Sequence, residues 1–178
     1  MAEKIKHWYV PLILGLILGI IGVWMLVKPL SGFATLTAIF EWSFIIYGVL
    51  EIIFALTIRN VGKGWGWYLL GGIVSFAFGV YLFKHPILSE ATFAMYIGFV
   101  SLFFSVSAIG KAMDLSSLKV AGSGWLMFWG ILGLFFSFML LWDPMIAGLT
   151  AVIWASIILI TIGIFGVSLG LKLKSIAS

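Results

Sequence analysis

Six long apolar runs separated by short polar breaks fill nearly the whole chain, at about residues 8–27, 34–58, 65–83, 91–109, 125–142 and 147–169. A helix of roughly 20 mostly apolar residues crosses about 30 Å of hydrocarbon, so each run is long enough to span a bilayer. Apolar positions go round the full circumference instead of forming one stripe, as expected of helices that face protein on one side and lipid on the other. The breaks are periodic. Pro29, Pro86 and Pro144 stand 57 and 58 residues apart (86 − 29 and 144 − 86), each between two apolar runs. A repeat of that length is two spans and a turn. The pattern predicts an all-α polytopic membrane protein, six transmembrane helices arranged as three hairpins that turn at the prolines. Two spans return each copy to the same side, so the hairpins are parallel repeats with pseudo-threefold symmetry.

Alignment on the prolines extends the repeat beyond hydropathy. Fourteen residues before them stand Gly15, Gly72 and Gly130, and seven before stand Gly22, Gly79 and Ser137. Six after stand Thr35, Thr92 and Thr150, and nineteen after stand Gly48, Ser105 and Gly163. Small residues one heptad apart share a helix face and allow close approach of neighbouring backbones, so these glycines are the expected packing positions. Proline suits the turn because it lacks an N–H and disfavours helix in the residue before it. The threonines are expected to bond a local carbonyl or a neighbouring helix. The whole chain, 1–178, then reads as a single transmembrane domain, with repeats at about 8–58, 65–110 and 124–170.

Composition narrows the class further. The chain is 63% hydrophobic and 9% charged, whereas soluble domains carry about 25% charged residues. It has no cysteine, which excludes disulfides and thiolate metal sites, and its two histidines build no metal centre. No cofactor is expected. The first span has no small-residue cleavage signature and reads as a retained anchor. The net charge of +4 does not mark a nucleic-acid protein, because the basic residues sit at span ends. Lys4, Lys6, Arg59, Lys63, Lys111, Lys119, Lys172 and Lys174 occupy the tails and the loops between repeats, against Lys28 and Lys84 at the proline turns. That asymmetry predicts cytoplasmic termini and external proline turns in a cell (inner) membrane. Trp8, Trp65, Trp67 and Trp125 open the odd helices, where indole favours the headgroup layer. The stretch 111–124 reads as the longest loop.

Three regularly spaced prolines, Gly22 and Gly79 before them, and Gly48-Val-Leu-Glu51-Ile-Ile in the second span resemble the HdeD-type acid-resistance membrane proteins, over residues 8–169. The third copy departs from that pattern, with Ser137 in place of glycine and no acid after Gly163. Mitochondrial carriers share a three-hairpin plan, but their charged proline signature is missing here. The HdeD resemblance implies a part in surviving acid or envelope stress and no particular reaction.

Chemistry, if any, concentrates on Glu41 and Glu51, the two acids embedded in a span. An acid at such depth costs about 3 kcal/mol on insertion scales, so it should face protein and find a partner. Two readings compete: a proton-titrating group on a transport path, or a neutral, hydrogen-bonded group that bridges helices. Glu51 lies about 80° round the helix from Glu41 at roughly 100° per residue. His85, beside Pro86, is a weaker candidate for sensing acid, and His7 weaker still. Gly62-Lys63-Gly64-Trp65-Gly66 lacks phosphate-loop spacing, and Gly122-Ser123-Gly124 is no nucleophile elbow. The HdeD resemblance implies a non-enzymatic part in acid or envelope stress tolerance, and that is the expected function. The alternatives are a small proton-coupled transporter or channel using Glu41 and Glu51, or a scaffold that binds a partner through residues 111–124. The lipid bilayer is the expected surrounding; association with a second copy or another membrane protein stays open.

Overall fold

The computed structural model describes residues 9–59, 64–120 and 122–177. Lys4, Lys6, His7, Trp8, Gly62 and Lys63, singled out above, lie outside the described residues. Six helices follow in order: α1 (Tyr9–Val27), α2 (Pro29–Ile58), α3 (Trp65–Lys84), α4 (Pro86–Ser117), α5 (Ser123–Trp142) and α6 (Pro144–Ala177). All six are long and apolar enough to cross a membrane. Large apolar side chains such as Phe103, Phe135 and Ile164 lie about two-thirds exposed, a surface that water would penalise and lipid accepts.

The proline breaks are tighter than turns. Each proline is the first residue of an even helix, where its missing N–H is one the helix leaves unbonded anyway and its fixed φ suits a helix start. One residue separates the helices at each break: Lys28, His85 or Asp143. Asp143 caps α6, its Oδ1 accepting from the backbone N–H groups of Met145 (2.8 Å) and Ile146 (3.4 Å). The even helices also outrun the apolar spans. Residues 111–117, expected within a long loop, are the last two turns of α4, because Ala112, Met113 and Leu115 keep a helical pattern going past Lys111. The break before α5 shrinks to the few residues around Lys119, and Gly122 supplies the left-handed φ of 96° that starts α5. Gly64 does the same for α3, with φ 108°.

Two compact units make up the chain: Met1–Phe33 with Leu149–Ser178, and Ala34–Gly148. In the second, α4 packs along α5, whereas α3 and α4, joined at Pro86, touch only slightly. The close partner of an even helix is thus the odd helix of the next repeat. In the first unit the same rule pairs α6 with α1. There the close backbone approach leaves an open apolar groove lined by Leu16, Ile20, Val23, Ile160 and Ile164.

Candidate functional site: the small-residue faces and their embedded acids

The glycines at the repeated positions stand where helix backbones touch. A Cβ at Gly72 of α3 would lie 2.8 Å from the Ile52 nitrogen of α2, and one at Gly48 would run into the backbone of Phe76. A Cβ at Gly15 of α1 would lie 2.7 Å from the Gly163 oxygen and from the Val167 nitrogen of α6. At Gly130 of α5 it would meet Ile109 of α4, 2.7 Å from its Cγ1. Ile52, Ile109 and Val167 all stand 23 residues after their prolines (52 − 29, 109 − 86, 167 − 144). One register therefore serves three helix pairs. Gly79 and Gly22 extend it, each short of about 3 Å from Cγ1 of Ile45 or Ile160. Where α5 has Ser137 instead, its hydroxyl turns back to the Gly133 oxygen at 2.7 Å and the residue is fully buried. Thr92, by contrast, is only part-buried and donates to the Leu88 oxygen of its own helix.

The face that the even helices bury continues toward the prolines, at positions not visible in the sequence. Eight residues after each proline stand Thr37, Ala94 and Val152, and twelve after stand Glu41, Gly98 and Ser156; all six are buried. The faces meet. Ala147, three after its proline, clusters with Ala94 and Leu140. A Cβ at Gly32, also three after, would lie 2.9 Å from Val152 Cγ1. The position three residues after proline on one even helix thus meets the position eight after proline on another.

Glu41 takes the position that the other repeats give to glycine and serine. It is 7% exposed, and no hydrogen bond or ion pair to it occurs among the described residues. Ser156, its counterpart on α6, donates to the Val152 oxygen at 2.7 Å. Gly98, its counterpart on α4, gives its space to Leu141. Glu51 sits ten residues on, about 15 Å further along α2, and is half-buried. Its carboxylate fills the room over Gly71, where a Cβ would lie 3.1 Å from Oε1. The counterparts of Gly71 are Leu14 and Trp129, and those of Glu51 are Ala108 and Gly166. The glycine occurs only where the acid does. The two acids are therefore separate features of one helix and do not converge.

His85 lies exposed at the α3–α4 break with its ring 4.6 Å from that of Tyr81. No group of three or more His, Asp or Glu side chains suited to a metal ion occurs among the described residues.

The short repeat of unknown function (DUF308) matches residues 13–84 and again residues 71–142. The chain belongs to this repeat family. The two matches begin 58 residues apart (71 − 13), which is the proline period. Each runs from an odd helix through the next even helix into the following odd one, so each holds one of the close pairs, α2 with α3 or α4 with α5. No curated protein and no solved structure matched the chain.

Proposed function

We propose that this multi-pass protein is a non-enzymatic component of acid or envelope stress tolerance, set in the cell membrane with both termini in the cytoplasm. Its membership of the short-repeat family carries the reading, because that family includes the HdeD-type proteins. The basic residues support the orientation. A strain deleted for the gene should lose survival at low pH and regain it with the wild-type chain; unchanged survival refutes the role. For orientation, Cys at the exposed Ile87 should react with an impermeant thiol reagent in intact cells or spheroplasts, and Cys at the exposed Leu118 only after permeabilisation. Ser89 is unsuitable for such labelling because it is fully buried.

One observation favours a second, more specific reading. Glu41 is buried without a hydrogen-bond partner among the described residues, and a lasting structural role would be served better by the serine or glycine of the other repeats. The second reading is proton coupling, with Glu41 gaining and losing a proton in a small transporter or channel. Glu41→Gln keeps size and polarity but cannot titrate. In proteoliposomes it should fold as wild type and lose proton flux; full flux from the variant refutes proton coupling.

A further inference from the structure

Two buried hydroxyls set the outer part of α2 and α4 apart from the rest of the molecule. Ser105, Ser137, Ser156 and Thr92 each donate to the carbonyl four residues back. Thr37 Oγ1 and Ser89 Oγ do not, and they are the buried side-chain oxygens without any partner among the described residues. Thr37 is 3% exposed and Ser89 0%. Nothing local consumes their hydrogen-bonding capacity, and buried polar groups are rarely left unsatisfied.

The repeat geometry puts the two hydroxyls together. Ser89 stands three residues after Pro86 and Thr37 eight after Pro29 (89 − 86, 37 − 29). Those are the positions that meet as Ala147 with Ala94 and as Gly32 with Val152. Ring contacts of Phe40 with Phe93 and Tyr96, each at 5.3 Å, show α2 and α4 abutting at this level. Glu41 follows Thr37 by four residues, one turn and about 6 Å along the same face. Helical side chains lean toward the N-terminus of their helix, which carries the carboxyl of Glu41 toward Thr37.

We propose that Ser89, Thr37 and Glu41 bind a buried water molecule and form a proton path from the proline-turn end of α2 and α4 to the Glu41 carboxyl. The inference rests on the reading of Glu41 as a proton-exchanging group. A buried water typically makes about 3 hydrogen bonds, which two hydroxyls and a carboxyl supply. In transfer, the Glu41 carboxylate takes a proton from the water as the water takes one from the hydroxyl above it. That hydroxyl is reprotonated from the proline-turn end, so each relay group ends unchanged and only Glu41 has gained a proton. Besides Tyr47 and Glu51 on α2 itself, the titratable groups on the proline-side halves of the neighbouring helices are Glu90 and Tyr96 of α4 and Tyr81 and Lys84 of α3, with His85 at their junction. Ala94 and Ala147 replace the hydroxyl pair in the second contact, and Gly32 and Val152 in the third, so the path belongs to one contact only.

The test follows deuterium exchange of the Glu41 carboxylic acid by infrared spectroscopy on the full chain in liposomes, at a pH acidic enough for the band to be present. Loss of the band in Glu41→Gln assigns it. Exchange on transfer to D₂O should slow at least tenfold in Thr37→Val and further in Thr37→Val/Ser89→Ala, and Thr37→Ser should restore the wild-type rate. The isosteric single variant decides the matter if the double one does not fold. Wild-type rates in folded Thr37→Val overturn the path and leave Glu41 an exchanging group. A wild-type band that never appears or never exchanges overturns both the path and proton coupling.

Discussion

Helices α2 and α4 bury the same face of the same repeat within one compact unit, and they line it with opposite chemistry. Eight and twelve residues after the proline, α4 has Ala94 and Gly98 and α2 has Thr37 and Glu41. Further along, the two faces converge again on small residues: Gly48 and Ala55 in α2, Ser105 and Ala112 in α4, all buried. The stretch farther from the proline is where backbones touch their odd partners, and any bulk there forces helices apart. The stretch nearer the proline meets another even helix through side chains, so it tolerates variety. Packing is thus common to the repeats, and at these two positions an ionisable side chain occurs only in the first of them.

The strongest way to break this comparison is to give α4 the residue of α2. In Gly98→Glu the new Cβ would lie 2.7 Å from Leu141 Cδ2, and the carboxyl would find apolar neighbours. Overpacking and an unpartnered acid together should cost about 3 kcal/mol or more, read as a large fall in unfolding midpoint in detergent. If Gly98→Glu melts like wild type, the two faces are interchangeable and Glu41 holds no special position.

A smaller effect is expected over the second acid. Gly71→Ala puts a methyl 3.1 Å from Glu51 Oε1, a contact the side chain relieves by swinging away. A loss of about 1 kcal/mol is expected, in the usual range for point changes. Glu51→Ala should cancel most of it in a double-mutant cycle. Additive losses would mean that Gly71 serves the helix backbone and not the acid.

The smallest effect should come from giving α2 the residue of α6. Glu41→Ser removes a buried carboxyl that lacks a partner and supplies a hydroxyl able to bond back to Thr37 O, as Ser156 bonds to Val152 O. Stability should stay within about 1 kcal/mol of wild type or rise. A loss well beyond that would show that the carboxylate itself holds the helices together, which would sharpen the contrast in the opposite direction.

Much of the frame was legible without coordinates. Hydropathy marked six helices, the prolines gave the period, and alignment on them found Gly15, Gly72, Gly48 and Gly163, the residues that turn out to face each other. Other positions were not legible. Thr35, Thr92 and Thr150 stood out by identity, but the buried register passes through Thr37, Ala94 and Val152, which share no residue type. A face defined by burial leaves no mark in sequence when its side chains differ. The pairing of Glu51 with Gly71 escaped for a related reason. Nothing in the sequence sets Gly71 apart from its neighbour Gly72, and only the position of the carboxylate gives it a purpose.

The sequence by itself determined what each segment is. Span length, the proline that begins each even helix and the small residues on one face follow from local rules: apolar length against bilayer thickness, a missing N–H, a missing Cβ. Tertiary structure alone decided which helix is whose neighbour. Two helices joined at a proline are adjacent in sequence, but a single intervening residue does not oblige them to pack along their lengths. Close approach goes instead to the pairs whose small residues fall in register, α2 with α3, α4 with α5 and α6 with α1. In lipid, where apolar surface alone gives helices little reason to associate, the fit between backbones selects the partner.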